Sequence, residues 1–310
     1  MINNDASLSF AVIVPTLNPG PIWAEWLDSL LLSNGVEREN VLIIDSNSSD
    51  NTLSISKRHG VHVKQISRSE FDHGGTRQLA LQSFPDAEII VFLTQDAVLE
   101  GAASIEMLCG TFDDPAVGAA YGRQLPHPDA KPLGAHARLF NYNDKSYTRC
   151  REDIPKFGIK TAFISNSFAA YRVTALDEVG GFPRDVILGE DACVAARMLM
   201  KDWSVAYCAE ARVYHSHDYT IFEEFRRYFD IGVFHAREHW LLDEFGKPEG
   251  EGGRFIRSEM RYLWHNAPGL LPEAIARTFF KYFGYRLGRI EQRLPVAVKR
   301  LLSMHRRYWA

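Results

Sequence analysis

The chain has 310 residues, 46% of them apolar and 24% charged, and a formal net charge of -4. This supports one large or two small globular domains with a real core, and excludes a general attraction to nucleic acid or anionic lipid. No stretch approaches the roughly 20 apolar residues of a spanning helix, and Met1-Ile2-Asn3-Asn4-Asp5 lacks the basic and apolar runs of a signal peptide, so a cytoplasmic location is expected. Cys109, Cys150, Cys193 and Cys208 have no metal-finger spacing and read as reduced thiols.

Phe10-Ala11-Val12-Ile13-Val14 reads as a first strand, ended by Pro15. Ile22 to Leu32 reads as a helix with Trp23, Trp26, Leu27, Leu30 and Leu31 on its buried side. Val41 to Ile44 is a second strand, and Asp50 caps a helix running to His59. Val61 to Ile66, a helix over Gly74 to Ser83, a strand over Ile89 to Leu93 and a helix over Ala102 to Thr111 follow. This βαβα rhythm predicts a mostly parallel sheet covered on both faces, with ligands at the strand C-terminal ends. Asp45 and Asp96 both fall there.

The second half breaks the rhythm. Pro126 to Pro132 is a polar loop, Phe163 to Ala170 is extended, and Gly180-Gly181-Phe182-Pro183 is a turn. Gly189 to Lys201 reads as a helix, Val205-Ala206-Tyr207 as a strand, and Phe222 to Phe245 as aromatic-rich helix. About 1–120 is expected to bind nucleotide, 121–245 to complete the pocket, and 246–310 to form a basic helical extension. From Ile275 to Ala310 there are nine Lys/Arg against one Glu, a local net of +8, with apolar residues at spacings of three and four. Pro295 should interrupt the helix. Such a tail suits an anionic membrane surface; packing on the core or a dimer contact are the alternatives.

Several side chains carry the chemistry. Asp45 can accept hydrogen bonds from a ribose or a uracil-like base, where an apolar strand ends. Asp96, in Leu93-Thr94-Gln95-Asp96-Ala97, is placed to hold Mg²⁺ or Mn²⁺ on a nucleoside diphosphate. His215 or His217, in Val213-Tyr214-His215-Ser216-His217-Asp218, is the candidate second ligand, and His215 is preferred. Asp191 is the candidate base, kept ionised by a helix N-terminus, with Glu190 beside it to orient the acceptor or a neighbouring donor. In Phe71-Asp72-His73-Gly74-Gly75-Thr76-Arg77-Gln78, backbone amides and Arg77 can meet an anion, and Asp72 and His73 can touch base, ribose or sugar. Arg226, Arg227 and His235 are candidates for an acceptor phosphate, or ordinary surface residues.

Together these residues resemble the inverting glycosyltransferases of family 2, with the GT-A fold, and within them the bacterial rhamnosyltransferases. The likeness covers roughly residues 10 to 245. It is carried by Val12-Ile13-Val14-Pro15-Thr16-Leu17-Asn18, Ile43-Ile44-Asp45-Ser46-Asn47-Ser48-Ser49-Asp50, Phe71 to Arg77, Gly181-Phe182, Gly189-Glu190-Asp191 and Tyr214-His215-Ser216-His217. The family's Asp-x-Asp metal motif is reduced to Thr94-Gln95-Asp96-Ala97. The resemblance implies donor contacts from Pro15, Thr16, Asn18, Asp45, Asp72, His73, Gly74, Arg77, Gln95 and Asp96, metal ligation by Asp96 and His215, and Asp191 as base. It also implies dTDP-β-L-rhamnose as donor, an α-L-rhamnoside as product, and a saccharide acceptor, often lipid-linked, in cell-surface polysaccharide synthesis at the inner membrane. Other donors such as a UDP-hexose, or a non-catalytic carbohydrate-binding role, are the competing readings.

Overall fold

The computed structural model describes residues 8–246 and 249–310; the N-terminal stretch Met1–Asp5 and residues next to the expected boundary at 245/246 lie outside them. Four strands, β1 (Phe10–Thr16), β2 (Val41–Asp45), β3 (His62–Gln65) and β4 (Ile89–Leu93), form a parallel ladder in the order β3-β2-β1-β4. Val12 stands opposite both Val41 and Val91. Burial on both faces explains why β2 and β4 are almost wholly apolar. Helices α1 (Trp23–Leu31), α2 (Thr52–His59) and α3 (His73–Leu81) connect them. Trp23 and Trp26 of α1 stack at 4.9 Å, and their indole N–H groups donate to Ser56 Oγ and Ala97 O.

Next come β5 (Val98–Leu99), α4 (Ser104–Cys109), β6 (Val117–Leu125), α5 (Pro132–Asn141), β7 (Tyr147–Arg149), α6 (Ile154–Phe157), β8 (Phe168–Arg172), α7 (Val173–Glu178), α8 (Glu190–Met200) and β9 (Ser204–Tyr214). They extend the sheet past β4 in the order β8-β6-β9-β5, with β7 on β9. The parallel character of the first half gives way to antiparallel joins at β4–β8 and β8–β6, and β6–β9 is parallel again. Because two reversals cancel, β6 and β9 run in the direction of β4. The C-terminal ends of β4, β6 and β9 therefore share one edge with the N-terminal end of β8.

Strand β6 has no counterpart in the sequence reading. Its run Val117-Gly118-Ala119-Ala120-Tyr121-Gly122 is poor in β-branched residues. The small residues are a packing requirement: a Cβ on Gly122 would lie 2.3 Å from the Phe168 ring. Strand β9 is longer than the expected Val205–Tyr207, because a register shift opposite Gly122/Arg123 lets it resume at Arg212. The extended reading of Phe163 to Ala170 narrows to a strand starting at Phe168.

The C-terminal part is helical: α9 (Ile221–Arg237), α10 (His239–Phe245), α11 (Glu249–Asn266), α12 (Leu271–Arg289) and α13 (Val296–Leu302). Thr220 and Glu223 form a capping box at the start of α9. Pro295 immediately precedes α13, as the sequence suggests. Helices α9 and α12 approach closely through glycines: a Cβ on Gly288 would lie 2.0 Å from Phe229 O, and one on Gly284 2.4 Å from Phe225 O. After α13 the chain returns to the body. Met304 and His305 N–H groups donate to Asp230 Oδ2 at 2.8 and 3.1 Å, and Tyr308 OH donates to Asp185 O at 2.8 Å.

Replacing Gly288 with Ala is expected to cost about 1–3 kcal/mol through overpacking of α9 against α12. Gly269→Ala, whose Cβ meets nothing within 4 Å, serves as control. Thermal unfolding of the two variants checks this; equal melting temperatures would reject the tight crossing.

Candidate active site

Asp96 follows β4, and His215 and His217 follow β9, so the shared edge brings them together. Asp96 Oδ2 lies 3.5 Å from His215 Nε2 and 3.7 Å from His217 Nε2. One ligand atom from each of the three falls within 4.8 Å of the others. His215 N donates to Leu125 O, continuing the β6–β9 pairing and fixing the imidazole's origin. Burial alone would raise the Asp96 pKa, but His215, Thr94 and His217 hold it well below the usual carboxylate range. Burial lowers His215 against the pull of Asp96, and it brings His217 down to about 4. The cluster is thus an ionised carboxylate and two neutral imidazoles at neutral pH.

Its hydrogen bonding fits a divalent cation. His215 Nδ1 is 2.8 Å from Gln124 Oε1, a carbonyl oxygen, so Nδ1 carries the proton and Nε2 presents a lone pair toward Asp96. Two lone-pair atoms facing each other are complementary to a cation, and a nitrogen–oxygen donor set suits a transition-metal ion.

The second centre is the start of α8. Gly189 enters the helix at φ 79, and a Cβ there would lie 2.7 Å from the Phe234 ring. Glu190 is buried and paired: Arg77 Nη1 lies 2.9 Å from its Oε1, and Asn166 Nδ2 donates to the same oxygen at 2.9 Å. Asp191 accepts from Asn166 N at 3.1 Å and from Ala192 N at 2.8 Å. Burial would raise Glu190, but Arg77, His73 and Asn166 hold it low. Asp191 goes the other way: burial, and then the Glu190 charge, push it up to about 6. The expectation that the helix N-terminus lowers this group is corrected: desolvation and the adjacent anion outweigh the dipole. A carboxyl group with a pKa near 6 is still mostly ionised at neutral pH.

One segment joins the centres. Thr94 N, two residues before Asp96, donates to Ser167 O at 3.3 Å. Asn166, one residue earlier, holds both Asp191 and Glu190. Exposed Arg227 on α9 acts electrostatically on His217 at the first centre and on His73 and His305 near the second.

Other side chains named from the sequence have varied surroundings. Asp45 is buried; its Oδ2 accepts from Ser48 N at 2.9 Å, and its Oδ1 has no protein partner. Pro15 lies within β1 opposite Ile44. Thr16 Oγ1 and Leu17 N donate to Gln95 Oε1 at 2.8 and 2.7 Å, so this amide braces the loop after β1. Asn18, at φ 48, accepts from Ser49 N at 2.7 Å and ties that loop to the one after β2. Asp72 caps α3 by accepting from Gly75 N. His73 packs edge-to-face on His305 at 5.0 Å, and a Cβ on Gly74 would lie 1.7 Å from Pro183 O. Arg77, expected to face an anion, instead pairs with buried Glu190. His235, expected near an acceptor phosphate, is buried with its Nδ1 3.2 Å from Tyr285 OH. Arg226 is half-buried and acts on Glu223. Gln124 and Asn166 were not singled out from the sequence; the available signal is for Asn166, a polar residue just past the apolar run Ala162-Phe163-Ile164, whereas Gln124 follows charged Arg123 and carries none.

Residues 11–180 match the family model described as Glycosyl transferase family 2. The chain belongs to glycosyltransferase family 2. It is 46% identical over 303 residues to the O-antigen chain rhamnosyltransferase RfbN of Salmonella typhimurium, covering 97% of this chain and 96% of the relative. It is 47% identical over 302 residues to the O-antigen chain rhamnosyltransferase WbaN of Salmonella anatum, with the same coverages. The fold matches the mannosyltransferase PcManGT from Pyrobaculum calidifontis in complex with GDP-Man and Mn²⁺ at a TM-score of 0.58, with 21% identity over 98% of this chain and 86% of that one. It also matches S. aureus TarS 1-349 in complex with UDP-GlcNAc at a TM-score of 0.52, with 17% identity and 92% of each chain covered. This family 2 glycosyltransferase thus has a GT-A-like α/β fold with a C-terminal helical extension.

Removing Arg77 strands a buried carboxylate. Arg77→Met is expected to destabilise the chain by about 3–5 kcal/mol, and adding Glu190→Gln to recover part of that. Denaturant unfolding of the single and double variants reads it; strictly additive losses would contradict the pairing.

Proposed function

We propose that this glycosyltransferase transfers L-rhamnose from dTDP-β-L-rhamnose to a saccharide acceptor in the assembly of a bacterial surface polysaccharide, with inversion to an α-L-rhamnoside. The supporting observation is the near-full-length identity to two O-antigen chain rhamnosyltransferases. Asp45 recognises the nucleoside: its buried, unpartnered Oδ1 suits an N–H or O–H of the base or ribose. Asp96, His215 and His217 would hold Mg²⁺ or Mn²⁺, which neutralises charge developing on the departing diphosphate. Exposed Arg227, near enough to His217 to act on it electrostatically, would add a positive charge beside the same leaving group.

Asp191 takes the proton from the acceptor hydroxyl. The freed oxygen forms the new bond to the anomeric carbon as the anomeric carbon–phosphate oxygen bond breaks. Its electron pair leaves with dTDP. Glu190, neutralised by Arg77, holds α8 and Asn166 in place rather than exchanging protons.

The acceptor is proposed to be lipid-linked and reached at the inner membrane. Among the described residues no helix is long and apolar enough to cross a membrane. Helix α12 instead exposes Ile275, Phe279, Tyr282 and Phe283, with Arg286 and Arg289 alongside. That combination favours an anionic lipid surface. A second copy of the chain docking on this face is the alternative.

Asp191→Asn is expected to leave dTDP binding near normal and to lower kcat by ~100-fold or more, in keeping with acid–base catalysis. In the parent enzyme kcat/KM should rise with pH through about 6 and then level, because only the ionised carboxylate accepts a proton. Calorimetry and pH–rate profiles on one preparation check both; near-normal turnover in the variant rejects Asp191 as base. A panel of nucleotide sugars tests the donor, and preferential turnover of a UDP-hexose would overturn rhamnose.

Phe279→Ser with Phe283→Ser is expected to reduce sedimentation with anionic vesicles while sparing transfer to a soluble acceptor. Unchanged sedimentation, or a variant that converts a dimer to a monomer, would assign the face elsewhere.

A further inference from the structure

We propose that Gln124 is a positioning residue that selects the ligating tautomer of His215 and ties the metal-binding residues to the loop holding the base. This rests on the reading of Asp96 and His215 as metal ligands.

Gln124 lies at the end of β6 and is almost fully buried, at 1% exposure. A buried primary amide must satisfy a carbonyl oxygen and an N–H₂ group. Here Oε1 accepts from His215 Nδ1 at 2.8 Å and from Arg138 Nη1, and Nε2 donates to Ser165 Oγ at 3.0 Å. Which end of an amide is oxygen is ordinarily ambiguous. Arg138 removes the ambiguity, because a guanidinium only donates, so the atom it shares with His215 must be the oxygen. His215 Nδ1 is therefore a donor, and Nε2 is the bare nitrogen turned to Asp96. Were the amide reversed, its N–H₂ would oppose Arg138 and the preferred tautomer would place a proton on Nε2, where a cation would have to bind.

The same amide reaches the other centre. Ser165 precedes Asn166, whose N–H and side chain hold Asp191 and Glu190. A single side chain on β6 thus spans from a ligand after β9 to the loop before β8. Partners of this kind orient ligating histidines, and their loss typically weakens metal affinity by about 10- to 100-fold.

The test uses the full chain and Mn²⁺ as probe, with affinity read by calorimetry and free-ion electron paramagnetic resonance. Gln124→Leu keeps the bulk but removes the acceptor; Mn²⁺ affinity should fall about 10- to 100-fold. Gln124→Glu keeps an acceptor for His215 and Arg138, and its second oxygen can accept from the Ser165 hydroxyl, so affinity should stay near the parent value. ¹⁵N spectra of the metal-free chain should show His215 protonated at Nδ1 in the parent and in Gln124→Glu, and a mixed tautomer in Gln124→Leu. If Gln124→Leu does not fold, the parent's tautomer decides, and a proton on Nε2 overturns the proposal. Unchanged Mn²⁺ affinity in folded Gln124→Leu, or an equal loss in Gln124→Glu, also overturns it. Asp96→Ala in the same assay separates the two levels. If it abolishes Mn²⁺ binding while Gln124→Leu leaves the affinity unchanged, only the role of Gln124 falls; if it binds Mn²⁺ normally, the metal reading falls and this proposal with it.

Discussion

The ion pair between Arg77 and Glu190 sets the character of the site. Two adjacent carboxylates open α8, Glu190 buried and Asp191 half-buried, and one guanidinium lies 2.9 Å from Glu190. Burial penalises each charge, and among the described residues the ion-pair partner that offsets it is Arg77. Glu190 receives that cation and the Asn166 amide, so it stays ionised. Asp191 receives backbone N–H groups and the repulsion of its neighbour, and rises to about 6. Unequal neutralisation thus separates two chemically similar side chains into a fixed anion and a carboxyl group that titrates near 6. The cost is a charged pair in the interior, tolerable because each remaining polar bond stiffens the same turn.

Strand direction places the candidate metal cluster beside that turn. β4 delivers Asp96 at its C-terminal end, and a parallel continuation alone would have carried the next strand away through a crossover. Antiparallel β8 instead begins where β4 ends, so Ser165–Ser167 arrives at the same edge. The second reversal, into β6, brings Gln124 back to it, and β9, parallel to β6, adds His215 and His217. The mixed half of the sheet is what lets residues more than a hundred positions apart in sequence share one rim.

The first half was legible because it obeys simple periodicities. Buried parallel strands are apolar throughout, and Asp45 and Asp96 stand out as the residues that end them. The start of α8 was legible from its Gly-Glu-Asp run. Strand β6 was not, since Gly118, Ala119, Ala120 and Gly122 are chosen for close packing and carry little strand signal. Partners were also hidden: nothing in local sequence says that Arg77 meets Glu190, or that His235 packs on α12 through Tyr285. The pKa of Asp191 went the opposite way for the same reason. A helix dipole is readable from position along the chain, whereas desolvation and a neighbouring charge depend on what the tertiary fold places around the carboxylate.

The basic tail divides between these two kinds of information. Its net positive charge reads as a surface property, yet Arg277 and Lys281 pair with Glu224, and Lys299 pairs with Glu291, inside the helical layer. Gly284 and Gly288 keep α12 close to α9, across which the two Glu224 pairs form. The opposite face of α12 is left with Phe279, Tyr282 and Phe283 exposed. Past α13, the last residues return to Asp230 and lay His305 against His73, one turn from Arg77. The extension therefore braces the segment that neutralises Glu190 while its other side stays open. Among the described residues two routes join that open side to the site: α9 with the returning tail, and α11, which packs on α5, whose Arg138 donates to Gln124.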